Sequence, residues 1–150
     1  MQIWVDADAC PVPVKNIIFN AAERLKIDTT LLANHPISTP PSTVIRSRQV
    51  QQGFDVADNL ILEWMSAGDI VITQDVPLAA EIVAQGGVAI NPRGTLYTPD
   101  NMHEHLVRRN RAEEMRSMGF EGRGAEPFGK KHSQAFAASF DKALAQALRG

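Results

Sequence analysis

The sequence predicts an α/β fold built on a central, mostly parallel sheet flanked by helices, with a helical extension at its C-terminal end. Short apolar runs alternate with helical stripes through the first ninety or so residues, aspartates stand where strands hand over to helices, and the later residues turn basic and helical. Alternation of this kind implies βαβ units, parallel strands and right-handed crossovers.

Ile3, Trp4 and Val5 form an apolar run ending at Asp6, as expected of a strand buried on both faces. After Pro11 and Pro13, the residues Val14, Ile17, Ile18, Ala21, Ala22 and Leu25 recur at helical spacing and give one apolar stripe. Thr30 to Ala33 reads as a second strand, and the proline- and serine-rich HPISTPPS after it as a loop. A helix beginning near Val56 presents Leu60, Ile61, Trp64 and Met65 before Gly68 stops it. Asp69 to Thr73 is the third strand, Leu78, Ile82 and Val83 mark the next helix, and Val88 to Ile90 is the fourth strand. Beyond the turn NPRG, a helix from Met102 to Met118 carries Arg108, Arg109, Arg111 and Arg116 and belongs on the surface. GFEGRGAEPFGKK reads as a flexible connection. Phe136, Phe140, Leu144 and Leu148 then give a last helix an apolar face that could dock on the domain or on a second copy, so a homodimer is a possible partner state.

A chain of 150 residues fits one domain, with a core in residues 1–100 and the basic and C-terminal helices in 101–150. The single cysteine, Cys10, excludes an internal disulfide, and the absence of a Cys/His ligand set excludes a zinc ribbon. No segment approaches the roughly 18 apolar residues of a membrane span and no leader opens the chain, so a soluble, cytoplasmic protein with no membrane partner is expected. Net charge is −2, but residues 1–100 hold 6 Lys/Arg against 11 Asp/Glu and residues 101–150 hold 9 against 6. That asymmetry fits either ordinary solvated helix faces or a basic clamp for a polyanion beside an acidic site.

The acids carry the chemistry. Asp6 follows IWV, Asp55 and Asp58 lie in QGFDVADNLI, and Asp75 ends DIVITQD. In an open parallel sheet the strand-to-helix handovers line one crevice, so these carboxylates are expected to converge. Each also has a local use, because aspartate caps helices and Asp55 with Asp58 resembles a capping box. Capping explains each position separately; a shared Mg²⁺ or Mn²⁺ explains their coincidence, since such ions prefer oxygen ligands and retain water. On this reading Asp6, Asp58 and Asp75 are ligands, Asp55 is a ligand or the base that orients water, and Asp8 supports them. The chemistry implied is phosphodiester hydrolysis, with the metal activating a water and stabilising the leaving oxygen.

These motifs also resemble a family. VDADACPV, GFDVADNLI and GDIVITQDVPLA followed by NPRG are similar, along almost the whole chain, to the YaiI/YqxD family of uncharacterised bacterial proteins. The resemblance implies a three-layer, PIN-like nuclease-type fold related to the NYN group. It further implies that Asp6, Asp55 and Asp75 match the aspartates after the first strand, at the start of a central helix, and after the following core strand. The NYN element GDSD stands here as TQDV. RNA is the favoured nucleic-acid partner.

Other side chains complete the expectation. Arg93, on the tight NPRG turn, suits bidentate phosphate binding or a hydrogen bond to its own loop. Asn34 and Thr73 stand where they could touch substrate or metal-bound water, and Arg46, Arg48, Arg108 and Arg109 could meet a nucleic-acid backbone. Cys10 is expected to be packed and unreactive, because neighbouring acids raise a thiol's pKa. None of the histidines is given a role. Two other readings stay open. A haloacid-dehalogenase-type phosphatase would use Asp6 as nucleophile and Asp8 as general acid, though GFDVAD would then have no task. A non-catalytic RNA-binding module would rely on the basic segment Arg108 to Arg116, with little aromatic surface for stacking.

Overall fold

Ile3, Val5, Ile70 and Ile72 point to one face of a six-stranded sheet, and Trp4, Val71 and Ala89 to the other, because side chains alternate along a strand. The computed structural model describes residues 1–52, 56–119 and 126–149. Its strands are β1 (Ile3–Asp6), β2 (Thr29–Ala33), β3 (Ile45–Gln49), β4 (Ile70–Ile72), β5 (Val88–Ile90) and β6 (Leu96–Tyr97), and its helices α1 (Val12–Leu25), α2 (Val56–Trp64), α3 (Val76–Ala84), α4 (Pro99–Ser117) and α5 (Lys130–Arg149). The order across the sheet is β3-β2-β1-β4-β5-β6. All neighbours pair in parallel except β5 and β6. Helices cover both faces, which gives three layers.

The chain leaves β1 in one direction, through β2 to β3, and returns to the other side of β1 at β4. The strand order therefore reverses between β1 and β4, and the carboxyl ends of parallel strands at such a reversal are where α/β folds form ligand crevices. On one face α1 and α5 bury Val14, Ile18, Phe136 and Phe140. On the other, α2, α3 and α4 bury Ile61, Met65, Leu78, Ile82 and Met102. Burying each phenylalanine contributes about 2–3 kcal/mol.

Two strands go beyond the sequence expectation. β3 is an edge strand whose residues after Ile45 are all exposed, so it has no apolar alternation to announce it. Its existence moves Arg46 and Arg48 from the flank of a loop onto the sheet. β6 is a two-residue return after NPRG. That turn also seats α5: Gly94 has φ +102°, and a Cβ there would lie 2.7 Å from Ala135. Ser139 Oγ donates to the Gly94 carbonyl at 2.6 Å. Phe136, Phe140 and Leu144 thus face the chain's own core, and Leu148 remains exposed. Part of the expected flexible connection, residues 120–125, lies outside the described residues. Among the described residues no helix is long and apolar enough to cross a membrane.

At the amino ends, Asp69 ties β4 to β1. It is 4% exposed, and its carboxylate accepts from the Gln2 N–H at 2.9 Å, the Trp4 Nε1–H at 3.0 Å and the Ser66 N–H at 2.9 Å.

Candidate functional site

The pairing of Val5 with Ile72 sets Asp6, at the end of β1, beside Thr73, which follows β4. Thr73 is fully buried, and its Oγ1 donates to Asp6 Oδ2 at 3.3 Å. The same Oγ1 accepts from the Asp75 N–H at 3.0 Å. Asp75 in turn caps α3, its Oδ1 accepting from the Leu78 N–H at 3.0 Å. Asp6, Thr73 and Asp75 are thus one linked unit at the strand switch. The Asp6 carboxyl is pushed above the usual aspartate range, mainly by burial; the Thr73 hydrogen bond works the other way, and the charges of Asp8 and Asp75 add to the rise. Capping and convergence hold together for Asp75.

A 3-10 turn at Ala7–Ala9 carries Asp8 toward the end of β2. There Asp8 accepts from the Asn34 N–H, at 3.0 Å through Oδ2 and 3.2 Å through Oδ1, and His35 Nδ1 lies 2.8 Å from Oδ1. Asn34 therefore meets the acids through its backbone, and His35, which the sequence left without a role, is a partner of Asp8. The signal was the parallel register: Asp6 lies opposite Leu32, so continuing both strands by two residues brings Asp8 to Asn34.

Beyond Asp75 a cleft of about 280 Å³ opens between α2, α3 and α4, lined by Asp58, Asp75, Glu81 and Arg109. Asp58 stands in the first turn of α2. Arg109 Nη2 pairs with Glu113 at 2.8 Å and Nη1 donates to Asn110 at 3.2 Å. The structure thus brings Asp6, Thr73 and Asp75 together and sets Asp58 and Arg109 around the adjoining cleft. Asp55 lies outside the described residues.

Other predicted side chains go elsewhere. Arg46 reaches Asp28 at 3.5 Å, toward the amino ends of the strands, and Arg108 pairs with Glu104 on the exposed side of α4. Arg93 is turned toward α5: its Nη1 lies 3.2 Å from His132 Nε2, its guanidinium sits 5.7 Å from the Phe128 ring centre, and its N–H donates to Asn91 Oδ1 at 2.8 Å. Cys10 is buried, with its thiol pushed up to about 12. The main cause is burial; Lys15 opposes it and Asp6 adds to it, so desolvation, more than the neighbouring acids, accounts for the shift.

Among the described residues no three Asp, Glu, His or Cys side chains form a ready metal-binding group. Mg²⁺ and its close relatives need less: one or two carboxylates suffice, the remaining ligands coming from water and substrate phosphate. The desolvated Asp6 with Asp75 on the same relay fits that donor set of hard oxygens, and fits no site for a softer metal.

The model for the family described as "Uncharacterized BCR, YaiI/YqxD family" matches residues 4–146. The UPF0178 protein YE1167 of Yersinia enterocolitica is 48% identical over 149 residues, covering 99% of this chain and 98% of the relative. A UPF0178 protein of Marinobacter nauticus is 51% identical over 149 residues and 99% of both chains. One from Halorhodospira halophila is 50% identical over 146 residues and 97% of both. No solved structure matches the chain. With the match running from the first strand to the last helix, this chain belongs to the YaiI/YqxD family of uncharacterised bacterial proteins.

Proposed function

We propose that this protein is a divalent-metal-dependent phosphodiesterase that acts on RNA. The observation that carries the reading is the Asp6 carboxylate, half-buried at the strand switch with a single hydroxyl donor among the described residues and two further aspartate charges acting on it. Such a group is destabilised as an anion until a cation joins it. The resemblance to PIN-like nucleases implies the same chemistry and matches Asp55, with Asp6 and Asp75, to the aspartates of that group.

In this reading Asp6 and Asp75 hold Mg²⁺ or Mn²⁺, which when bound polarises the phosphoryl group and favours deprotonation of the attacking water. Thr73 fixes the Asp6 carboxylate through its hydroxyl and the Asp75 backbone through its oxygen. Asp58, which lines the adjoining cleft with Asp75, would join Asp6 and Asp75 as a further ligand. Arg109 binds a non-bridging phosphate oxygen, exchanging an exposed i,i+4 pair with Glu113 that is worth only about 0.3–0.5 kcal/mol. The phosphatase reading needs Asp8 to carry a proton to the leaving group, whereas both Asp8 oxygens face donors at Asn34 and His35.

The test is cleavage of single-stranded RNA with Mn²⁺ by wild type and by Asp6→Asn. Wild-type cleavage that falls at least about a hundredfold in the variant is expected, the usual scale for losing a transition-state electrostatic contact. Cleavage unaffected by Asp6→Asn overturns the assignment, and wild type that binds RNA without ever cutting it leaves a binding module.

A further inference from the structure

The sheet face that carries α2 holds a second feature, centred on β3 and the end of α2. Trp4, Thr30 and Arg46 stand side by side across β1, β2 and β3. Over them α2 ends at Trp64, whose ring centre is 6.4 Å from that of Trp4 at an interplanar angle of 41°. The Arg48 guanidinium lies 4.7 Å from the Trp64 ring centre. Together with Gln2 and Ser47, these residues line a groove of about 450 Å³.

Its chemistry is both aromatic and cationic. Trp64 is half-buried and Arg46 and Arg48 are exposed, so the groove offers an aromatic face and two cations in one place. Among the described residues Arg46 has only the solvent-exposed, 3.5 Å pairing with Asp28, which a competing phosphate displaces at little cost. An aromatic ring beside guanidinium groups is what a single strand of nucleic acid uses, with a base on the ring and phosphates on the cations. The groove also lies near the acids: Arg48, Leu32 and Asp6 occupy one lateral row of the sheet, which puts β3 about 10 Å from β1 at two inter-strand spacings.

We propose that this groove takes a base of single-stranded RNA, stacked against Trp64, with Arg46 and Arg48 on the flanking phosphates. The assignment rests on the reading of the protein as one that acts on RNA, and it names how the strand is held.

Trp4 and Trp64 are the chain's two tryptophans, so intrinsic fluorescence reports this groove directly. Metal-free Asp6→Asn protein is titrated with an oligoadenylate of about eight nucleotides and with duplex RNA, and binding is followed by tryptophan quenching and by anisotropy of labelled oligomer. Quenching by the single strand is expected, with affinity falling about tenfold in Arg48→Ala and in Trp64→Leu but less than about threefold in Trp64→Phe. Arg48→Ala changes an exposed residue and keeps the test open if Trp64→Leu folds poorly. No quenching, preference for duplex, or wild-type affinity in Arg48→Ala overturns the proposal. If wild type still cleaves RNA in that case, the groove fails alone; if the groove binds and nothing is cut, the hydrolase reading fails and the groove stands.

Discussion

Asp69 and Asp6 sit at opposite ends of the same pair of strands, and the sheet treats them differently. Asp69, at the amino ends, has its two oxygens filled by three N–H donors from the chain start, the Trp4 indole and the turn before β4. Asp6, at the carboxyl ends, has the Thr73 hydroxyl and feels the charges of Asp8 and Asp75. Burial removes nearly all the water from Asp69 and part of it from Asp6. What separates the two acids is the supply of donors, and at the carboxyl ends much of that supply goes to capping α3 and to holding Asp8.

The largest effect expected from this contrast is at Asp69. Asp69→Ala strands three donors in a dry site and should cost about 4 kcal/mol in denaturant unfolding, with Asp69→Asn costing about half of that because one amide hydrogen meets another donor. Asp6→Asn should cost nothing in the same measurement, because it removes a charge that burial disfavours. Equal losses at the two positions would erase the distinction between the two ends.

The pH dependence sharpens it. Because the folded-state pKa of Asp6 is raised, the folded chain keeps this proton at pH values where the unfolded chain has lost it. Stability then falls as pH rises, from the ordinary aspartate value of about 3.9 up through the folded-state value, and is flat above it. Subtracting the Asp6→Asn unfolding profile from wild type should isolate that descending limb. Mn²⁺ added at neutral pH should recover stability in wild type and not in the variant, as observed by thermal unfolding with and without chelator. A flat difference profile would mean that Asp6 is well solvated, and one that rises with pH that it is well paired.

Much of this could be read from the residues. Apolar runs ending in aspartate announced β1 and β4 within a residue or two, and helical stripes announced α1 and α3, because both depend on local periodicity. β3 was hidden because an edge strand with one buried residue has no pattern to show, and with it went the meaning of Arg46, Arg48 and Trp64 as one surface. Asp6 and Asp75 were legible as a pair through the strand-end rule. Asp69 was not, because its donors come from residues 2, 4 and 66, and nothing local says that a buried acid will be satisfied. The surroundings of Arg93 were not legible in sequence, since Phe128 and His132, which it meets, are far along the chain.

The smallest effect is the most specific. Thr73→Val keeps the shape of a fully buried side chain while removing the donor to Asp6 and the acceptor for the Asp75 N–H. A stability loss of about 1–2 kcal/mol is expected for the two hydrogen bonds, and Thr73→Ser should recover it. Metal affinity and RNA cleavage should fall about tenfold to a hundredfold, the range seen when a group that orients a ligating carboxylate is lost. Calorimetry with Mn²⁺ separates the two effects, because a purely structural threonine would change the unfolding free energy and leave the binding constant where it was. If binding is unchanged, Asp6 and Asp75 are neighbours without being a unit, and the relay has no chemical meaning.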